Sequence, residues 1–461
     1  MVRLFKHYIP HAVILLGMLD FALLILAGEA AWRLRAGQIG IDPGFAGERF
    51  WELAGFAATM LTAIVAVGVY GAESLRSMRF ATARLMVAIS LGVIALAFVD
   101  FLLGGHRFWR STLAYAMVFS VVLLVLNRLL AGTLLGAAAF RRRVLVLGAG
   151  LRAERLRQLS LRPESGFVIA GYVAMTDAAP VVNEAVNRGA IENLTAHVEG
   201  LRASEVVLAL EERRNALPLS DLLRIKTTGV YVNDFSSFIE RETGRVDLDT
   251  VNPSWLIFSD GFSAGRALSS LAKRVFDVVA SALLLLFTAP LIALFALLVK
   301  LDSKGPAFFR QTRVGHYGES FDLIKLRSMR TDAEADGAQW AQQDDPRVTR
   351  LGRFIRNVRI DELPQTWSVL KGEMSFVGPR PERPEFVSEL EQQLPYYAER
   401  HMVKPGITGW AQINYPYGAS IADSRHKLEY DLYYAKNYTP FLDLLILLQT
   451  LRVVLWPEGA R

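Results

Sequence analysis

The chain contains no cysteine and little charge. None of its 461 residues is Cys, and charged residues make up only 21% of it while hydrophobic residues make up 52%. The lack of cysteine excludes disulfides, thiolate metal sites and a cysteine nucleophile. So much apolar and so little charged sequence is atypical of soluble and of disordered chains. The composition therefore predicts a membrane protein that also has soluble parts.

The net charge of +6 would suit nucleic acid only if it lay on one soluble face. The excess of Lys and Arg instead falls in residues 1–140 and 271–300, which contain the apolar segments, whereas residues 141–270 and 301–461 are balanced. Basic residues beside apolar segments are typical of membrane topology and of contact with anionic lipid. We therefore expect membrane lipid, and no nucleic acid, among the partners.

Four apolar segments lie in residues 1–140, each close to the ~20 residues that a spanning helix needs. They are Ala12–Ala31, Leu53–Val69, Leu85–Leu103 and Ser111–Leu126. Lys and Arg are more frequent in the loops on the side of the N-terminus, which places that side in the cytoplasm. The acids Asp20, Glu29 and Asp100 interrupt these segments. They either line a functional pathway or, as we prefer, pair with Arg or lie near the interface.

Residues 141–265 have the pattern of a Rossmann-like, doubly wound α/β domain. The predicted strands are Val144–Leu147, Phe167–Ala174, Glu205–Leu210 and Gly229–Asn233. Gly148-Ala-Gly150 after the first strand is a partial dinucleotide fingerprint, which is a weak signal alone. Asp177, the only acid near the place of a ribose partner, lies beyond a turn. We therefore expect a structural turn here and not a cofactor site.

Residues 266–300 contain an uncharged run, Val278 to Val299, that is long enough to cross a bilayer once. Pro290 divides the run into two short arms, removes a helical hydrogen bond and is expected to bend the helix. Thr288 could bond a carbonyl that the bend frees. A fifth spanning helix and a helix that enters and leaves one leaflet are both compatible with this run.

Residues 301–461 are mixed and polar, as expected of a second soluble domain. Near the end, Phe441–Trp456 is an apolar helical stretch broken by Asp443, Gln449 and Arg452. It is too short to span comfortably, so we predict a helix at the membrane interface. A buried core helix is the alternative.

Arginines recur at every third position before a pair of acids. The arginines are Arg347, Arg350, Arg353, Arg356 and Arg359. The pair Asp361-Glu362 follows, and with Pro364 it has the pattern of a helix start. One interpretation is a capped helix with an exposed arginine face. The other is chemical, because a carboxylate beside arginines at a helix start stays ionised and can serve as a nucleophile or Mg²⁺ ligand.

Further basic residues around the acid pair suit phosphate, since guanidinium groups bind two phosphate oxygens at once. They are Arg310, Arg313, Lys325, Arg327, Arg380 and Arg383. Cations followed by a carboxylate pair fit a diphosphate substrate and phosphoryl transfer.

Seven stretches after residue 270 form a recognisable series. They are Lys273–Asp277, Gly305–Gly315, Lys325–Met329, Asp361–Gln365, Val377–Glu382, Lys404–Gln412 and Tyr430–Lys436. In this order they resemble the bacterial polyprenyl-phosphate sugar-1-phosphate transferases, the large phosphoglycosyl transferases. The N-terminal helices and the Rossmann-like domain are similar to the large form of that family, and Tyr415–Ser420 is similar to its exopolysaccharide-associated members.

The resemblance implies roles for individual residues. Asp361 would be the nucleophile, Glu362 the Mg²⁺ partner and Arg356 a phosphate-binding residue. Lys325, Arg327, Arg380 and Arg383 fall in motifs associated with the active site. Pro290 falls where the family has a re-entrant helix-break-helix anchor, although Ala289 stands where the best-known small members have Ser. Re-entry would keep both soluble domains in the cytoplasm with the nucleotide sugars.

The implied fold has three parts: a four-helix transmembrane bundle, a Rossmann-like α/β domain and an α/β catalytic domain with the re-entrant helix. The implied reaction transfers a hexose-1-phosphate from a UDP-sugar to polyprenyl (undecaprenyl) phosphate and releases UMP through an aspartyl-phosphosugar intermediate. It would initiate an exopolysaccharide or O-antigen-type glycan at the bacterial inner membrane. UDP-glucose and UDP-galactose are the leading donors, Mg²⁺ is the expected cofactor, and a homodimer is a further expectation.

Three other classes of protein make different demands on the sequence. A nucleotide-sugar dehydratase needs a Tyr-x-x-x-Lys pair, and no lysine of the chain has a tyrosine four positions before it. A metal-dependent glycosyltransferase using Asp247 and Asp249 would release UDP instead of UMP. A non-enzymatic scaffold would not need the intact pair Asp361-Glu362.

Overall fold

The computed structural model describes most of the chain. It covers residues 2–455 except 5–6, 10, 71–77, 104–109, 140, 163–164, 177–178, 212–216, 252–266, 334–344, 416–417 and 419. The chain divides into two compact units, Met1–Glu242 and Thr243–Arg461. Asp177 lies outside the described residues, so its expected role stays a prediction.

Four long helices follow a short antiparallel hairpin of β1 (Val2–Leu4) and β2 (His7–Ile9). The helices are α1 (His11–Ile39), α2 (Phe50–Ala66), α3 (Met78–Leu103) and α4 (Arg110–Ala139). Consecutive helices pack together, and α1 also packs against α4. Their interior is filled by Leu24, Phe56, Met60, Leu85 and Leu124. Helices therefore occur at each of the apolar segments predicted from the sequence.

Four helices among the described residues are long and apolar enough to cross a membrane. They are Val13–Ile39, Ala46–Ala66 and Ser111–Leu130 in the first unit and Ser270–Asp302 in the second, while Arg84–Phe98 is a shorter apolar helix. Such helices have the character of an integral membrane protein.

Asp20 is a completely buried acid inside the helical bundle. Its carboxylate accepts hydrogen bonds from Arg128 Nη2 at 2.6 Å, from Asn127 Nδ2 at 2.7 Å and from Tyr70 Oη at 2.6 Å. Arg128 also lies over the Tyr70 ring, 5.3 Å from its centroid. The cluster thus joins α1 to α4 and to the turn after α2 through one buried ion pair.

Of the other two acids in the apolar segments, the structure describes the side chain of Glu29. Glu29 forms ion pairs with Arg33 at 2.7 Å and with Arg49 at 3.2 Å. The Asp100 side chain lies outside the described part of the structure. For Asp20 and Glu29, the predicted pairing with arginine is confirmed.

The rest of the first unit is a five-stranded sheet with the order β5-β4-β3-β6-β7, in which each pair is parallel. The strands are β3 (Arg142–Leu147), β4 (Phe167–Ala174), β5 (Val186–Asn187), β6 (Glu205–Leu208) and β7 (Tyr231–Asp234). The connecting helices are α5 (Leu151–Leu161), α6 (Leu194–Gly200), α7 (Leu219–Thr227) and α8 (Phe235–Thr243). Val144 and Val146 pack on one face and Leu145 and Leu147 on the other. The predicted parallel α/β domain is confirmed.

The turn after β3 needs glycine at its first position. Gly148 has φ +135°, and a Cβ there would lie 2.5 Å from the carbonyl oxygen of Ala209. At the following helix start, the Leu151 N–H donates to Glu211 Oε1 at 2.8 Å. A dinucleotide-binding fold places a diphosphate at this helix end. In this chain the carboxylate of Glu211 occupies that position at the start of α5.

The second unit contains one very long helix, α9 (Ala267–Asp302), in which Pro290 lies. The helix continues through Pro290, so the break predicted there is absent from this described segment. Thr288 Oγ1 donates to the carbonyl of Leu284 at 2.6 Å. It therefore does not bond the carbonyl of Leu286, which Pro290 leaves without its usual donor. How this helix lies in a membrane stays a prediction.

The remaining elements of the second unit pack around three buried apolar clusters, of which the core that contains Val377, Leu390 and Leu432 is the largest. These elements are the antiparallel hairpin β8 (Phe308–Val314) and β9 (Ser320–Leu326), the parallel pair β10 (Ser375–Val377) and β11 (Gly406–Thr408), and the helices α10 (Arg350–Asn357), α11 (Thr366–Lys371), α12 (Pro384–Gln393), α13 (Trp410–Asn414), α14 (Ile421–Asn437) and α15 (Pro440–Leu455). Val246 and Leu248, which precede α9 in the chain, lie in this core. The sequence analysis had placed them with the α/β domain.

The last helix, α15, contributes Leu442 and Ile446 to the core, and both are completely buried. Leu444 on the same helix is 49% exposed. The alternative prediction, a buried core helix, is therefore confirmed for one face of α15. Contact of its exposed face with a membrane interface stays a prediction.

The start of α9 is tied to the second unit by its charged residues. Lys273 Nζ forms an ion pair with Asp443 Oδ2 at 2.6 Å, and Arg274 donates to two carbonyls at the end of α11. Asp277 accepts from Ser375 Oγ at 3.1 Å. The charged residues of this motif therefore hold the fold together.

Candidate active site

The acid pair lies in a tight 3₁₀ turn, Ile360–Gln365, between α10 and α11. Arg359 immediately before the turn has φ +60°, in the left-handed region. The turn packs against β9. Asp361 is therefore inside the first turn and is not the residue that caps it.

The arginine series does not form one cationic helix, so that interpretation is wrong at both ends. Only Arg350, Arg353 and Arg356 lie in α10, whose start is capped by the Thr349 side chain accepting from the Gly352 N–H. Arg347, before the helix, pairs with Asp345 at 2.6 Å. Arg359, after it, turns toward the acid pair.

Glu362 is held between two arginines. Its Oε1 accepts from Arg380 Nη2 at 3.0 Å and its Oε2 from Arg359 Nη1 at 3.3 Å, and its side chain is only 12% exposed. Burial alone would raise the pKa of Glu362, but the Arg380, Lys325 and Arg359 charges outweigh burial and lower it to about 2. Glu362 is therefore ionised at neutral pH.

Asp361 has the opposite environment. It is 8% exposed, and its buried Oδ1 has no hydrogen-bond partner among the described residues. Burial, followed by the Glu362 charge, raises the pKa of Asp361, while Lys325, Arg356 and Arg359 oppose the rise. The prediction that a helix start and arginines favour its ionised form is wrong in direction, because burial and a like charge outweigh them.

Lys325 on β9 lies close enough to both acids and to Arg380 to interact with their charges. Burial, followed by the Arg380 charge, lowers the pKa of Lys325 to about 8, while Glu362 acts in the other direction. A small pocket opens here, lined by Arg313, Leu323, Lys325, Gln365, Arg380, Pro381 and Gly406. A buried pocket with several cations suits an anionic ligand.

The two arginines of β8 have different positions. Arg313 lines the pocket, donates to the Pro381 carbonyl at 3.0 Å and lies 3.6 Å from Glu382. Arg310 is exposed and pairs in register with Ile324, the neighbour of Lys325. Because side chains alternate along a strand, Arg310 lies on the face away from Lys325. The structure does not bring Arg310 to the pocket.

Arg327 and Arg383 were also expected at the site. Arg327 is buried, and it donates to the carbonyls of Lys304 at 2.6 Å and Ser303 at 2.7 Å, at the end of α9. Its guanidinium therefore holds the backbone there, and its expected role toward substrate stays a prediction. Arg383 precedes α12 and lies over the Phe386 ring, 6.0 Å from its centroid. Its role toward substrate stays a prediction.

A buried ion pair that the sequence analysis missed supports Arg380. Arg400 pairs with Asp431 at 2.7 Å, and their side chains are 5% and 3% exposed. Arg400 Nη2 also donates to the Arg380 carbonyl at 3.0 Å, and Arg400 Nη1 donates to Tyr397 Oη at 2.9 Å. The pair thus fixes the backbone of the residue that holds Glu362. Asp431 lies in a recognised motif, but only the fold shows which arginine it meets.

The site was tested for its fit to Mg²⁺. No group of three or more His, Asp or Glu that could hold a metal occurs in the described residues. Mg²⁺ at phosphoryl-transfer sites is commonly held by one or two carboxylates plus substrate phosphates. Asp361 Oδ1 has no partner there, and the described partner of Glu362 Oε2 is the exposed Arg359. This pair fits an ion whose coordination substrate phosphates complete.

The acids of the alternative glycosyltransferase reading have structural partners. Asp247 Oδ2 accepts from Thr250 Oγ1 at 3.0 Å, and Asp249 forms an ion pair with Arg425. Nothing in these contacts favours that reading.

Two parts of the chain match known families. Residues 268–457 match the bacterial sugar transferase family, and residues 65–226 match a CoA-binding domain. The first match contains the acid pair, Lys325 and the pocket, and the second contains most of the parallel sheet.

Named relatives agree with the first match. A UDP-glucose:undecaprenyl-phosphate glucose-1-phosphate transferase of Klebsiella pneumoniae is 32% identical over 370 residues, 78% of each chain. A UDP-N-acetylgalactosamine-undecaprenyl-phosphate N-acetylgalactosaminephosphotransferase of Aeromonas hydrophila is 42% identical over 240 residues, 52% of this chain and 56% of that protein. An undecaprenyl-phosphate glucose phosphotransferase of Komagataeibacter xylinus is 45% identical over 196 residues, 41% of this chain and 37% of that protein.

The Klebsiella match spans more than two thirds of both chains, so the chain belongs to the bacterial sugar transferase family, and its long apolar helices have the character of an integral membrane protein. The matches with the Aeromonas and Komagataeibacter proteins span about half and just over a third of those relatives.

Proposed function

We propose that this protein transfers a hexose-1-phosphate from a UDP-sugar to polyprenyl (undecaprenyl) phosphate and so initiates an exopolysaccharide or O-antigen-type glycan. The observation that carries the proposal is the pocket of Lys325, Arg313 and Arg380 beside the pair Asp361-Glu362. The names of the relatives, which include glucose and N-acetylgalactosamine transferases, support this class of substrates.

In the first step an Asp361 carboxylate oxygen attacks the phosphorus that carries the sugar. The bond from that phosphorus to the oxygen of UMP breaks, UMP leaves with the bonding electrons, and a phosphosugar–aspartyl ester remains. An oxygen with no hydrogen-bond partner is available for attack without giving up a bond. Lys325, Arg313 and Arg380 offset the negative charge that gathers on the diphosphate.

In the second step a phosphate oxygen of polyprenyl phosphate attacks the same phosphorus. The bond to Asp361 breaks, which restores the carboxylate and yields a polyprenyl-diphosphate sugar. Glu362 stays ionised throughout because Arg380, Lys325 and Arg359 hold its pKa near 2. Its charge keeps Arg380 oriented toward the pocket.

Mg²⁺ is the proposed cofactor. Glu362 would hold it against the substrate phosphates, where it would supply further neutralisation of charge.

We further propose that α9, bent at Pro290 while its helix stays continuous, enters and leaves the cytoplasmic leaflet of the inner membrane, with both soluble domains in the cytoplasm. Nucleotide sugars are cytoplasmic, which favours this arrangement. Because the chain has no cysteine, Ala272→Cys and Lys304→Cys each introduce a single label site. Both should react with a membrane-impermeant maleimide only after the cytoplasmic face is opened. Labelling of position 304 from the periplasm would contradict re-entry.

The reaction is tested with the full chain in lipid nanodiscs. Purified protein, polyprenyl phosphate and Mg²⁺ are supplied with UDP-glucose, UDP-galactose or UDP-N-acetylgalactosamine, and UMP is measured. We expect UMP with at least one donor, and only together with a polyprenyl-diphosphate sugar. Release of UDP instead would indicate a glycosyltransferase and would refute the proposal.

A further inference from the structure

Gln365, the last residue of the 3₁₀ turn, has a buried amide without a partner. The residue is 4% exposed, and its Nε2 finds no hydrogen-bond partner in the described part of the chain. It lines the same pocket as Lys325 and Arg380. Buried polar groups in folded proteins are nearly always paired, so an exception calls for an explanation.

The other polar groups of the turn show which explanation fits. Glu362 is paired with arginines on both oxygens, whereas Asp361 Oδ1 is unpaired like Gln365 Nε2. The turn packs against β9, and both acids interact electrostatically with Lys325. The unpaired acceptor and the unpaired donor therefore border the same lysine, at the place where the reaction is proposed.

The surroundings define the chemistry of the missing partner. Gln365 Nε2 is a neutral donor, and its neighbours across the pocket are the cations Lys325, Arg313 and Arg380. A ligand group that reaches all four side chains must accept hydrogen bonds and carry negative charge, as the non-bridging oxygens of a phosphoryl group do. A carboxamide can hold such an oxygen without adding charge, in the manner of an oxyanion-hole donor.

We infer that Gln365 contacts the substrate, donating a hydrogen bond from Nε2 to a non-bridging oxygen of the phosphoryl group that Asp361 attacks. This inference rests on the proposed function. The contact would tighten as charge builds on the phosphoryl oxygens, so it would affect turnover more than ground-state binding of the nucleotide sugar.

The test compares Gln365→Met and Gln365→Glu with Gln393→Met in the full chain. Met keeps the volume and removes the donor, and Glu keeps the shape and adds a charge that repels phosphate. Gln393 on α12 is exposed and bonds Glu389, so it serves as the matched control. We expect kcat/KM for the UDP-sugar to fall about 100-fold in both Gln365 variants, mostly in kcat, and to stay unchanged in Gln393→Met.

Thermal unfolding separates a substrate contact from a structural role. Because Gln365→Met replaces an unpaired buried donor by an apolar group, its Tm should equal or exceed that of the unchanged protein. A loss of turnover together with a lowered Tm in Gln365→Met would overturn the inference, and so would turnover within about threefold of normal.

A binding arm separates this inference from the proposed function. UDP is titrated calorimetrically into the unchanged protein and into Gln365→Met with Mg²⁺ present. Loss of one neutral hydrogen bond to phosphate should weaken UDP binding about fivefold or less. If the unchanged protein gave no UMP with any donor, the proposed function would fail. Weaker UDP binding by Gln365→Met would then still support the phosphate contact, and equal binding would overturn it.

Discussion

Two buried aspartates, one in each unit, have opposite surroundings. Asp20 in the helical bundle is 0% exposed, and Arg128, Asn127 and Tyr70 donate to its two oxygens. Asp361 in the second unit is 8% exposed, and its Oδ1 has no partner in the described structure. For both acids the sequence analysis predicted an arginine neighbour. Only Asp20 has both of its carboxylate oxygens hydrogen-bonded.

The difference separates stability from chemistry. When a buried acid is paired on both oxygens, as Asp20 is, breaking the pair lowers the folding stability strongly, and neither oxygen is free to bind a ligand. A buried acid with an unpaired oxygen, such as Asp361, destabilises the free protein and has a site ready for a ligand. We therefore expect substitutions of these two aspartates to affect different properties.

The largest effect is expected for Asp361→Asn. The amide keeps the size of the side chain but cannot form the aspartyl ester, so UMP release should fall by at least roughly 10³-fold. Since burial and the Glu362 charge disfavour the ionised form of Asp361, removing its charge should not decrease Tm. Single-turnover UMP release and thermal unfolding measure the two properties. Near-normal turnover would contradict the assignment of the nucleophile.

Asp20→Asn should have the reverse effect. It leaves Arg128 buried without its counter-charge, which costs about 3–5 kcal/mol of folding stability. We expect a lower Tm and a smaller yield of folded protein, while the kcat of the folded fraction changes little. Asp332→Asn is the matched control, because the side chains of Asp332 and its partner Arg330 are 60% and 65% exposed and such pairs contribute little. Equal Tm values for Asp20→Asn and its control would show that the buried Asp20–Arg128 pair stabilises the fold no more than an exposed pair does.

The sequence predicted the elements of this fold better than the surroundings of its side chains. Alternating and continuous apolar patterns located strands such as Phe167–Ala174 correctly, because period and burial are local properties. Motif membership pointed to Lys325 and Arg380, which the structure brings close to the acid pair, but it could not show that the Arg327 guanidinium bonds the backbone at the end of α9. That depends on contacts between distant segments.

The ionisation of the acid pair shows the same limit. The sequence showed arginines before Asp361 but not its burial, so the predicted direction of its pKa was wrong. Arg359 could have been recognised as a partner of Glu362, because residues three apart often pair. The sequence identified Gln365 only as part of the Asp361–Gln365 motif. The absence of a hydrogen-bond partner for its Nε2 is a property of the packed structure.

Glu362→Gln should give an intermediate effect. It removes the charge that pairs with Arg380 and that would hold Mg²⁺, so we expect a rate loss of about 10- to 100-fold and a higher Mg²⁺ concentration for half-maximal turnover. Titrating MgCl₂ at saturating UDP-sugar measures both. Lys371→Gln, which removes an exposed partner of Glu373, is a control of the same kind. An unchanged Mg²⁺ requirement in Glu362→Gln would argue against this role.

The pH dependence should reflect Lys325 and Asp361. Deprotonation of Lys325, whose pKa is about 8, removes positive charge from the pocket, so kcat/KM should fall above that pH. Protonation of Asp361 removes the nucleophile, so kcat/KM should also fall on the acidic side, at a pH above the usual range of aspartate because its pKa is raised. In Lys325→Arg the alkaline fall should move upward. An alkaline limb that stays in place would show that another group is responsible.

The smallest effect is expected in the α/β domain. Because Glu211 accepts the Leu151 N–H at the helix end, NAD(H), NADP(H) and CoA should bind no more tightly than millimolar. Isothermal titration of the full chain tests this expectation, and Glu211→Gln is the informative variant. A micromolar constant for the unchanged protein would show that the turn at Gly148–Gly150 is a working site.

The central claim is that the unpaired oxygen of Asp361 forms a covalent bond with the phosphosugar. The most direct measurement supplies the unchanged protein with a UDP-sugar radiolabelled in the sugar, withholds polyprenyl phosphate, and locates the label by peptide mass spectrometry. The account predicts one labelled phosphosugar on Asp361, which is released when polyprenyl phosphate is added. A label on another residue, or transfer to polyprenyl phosphate without any labelled protein, would contradict it.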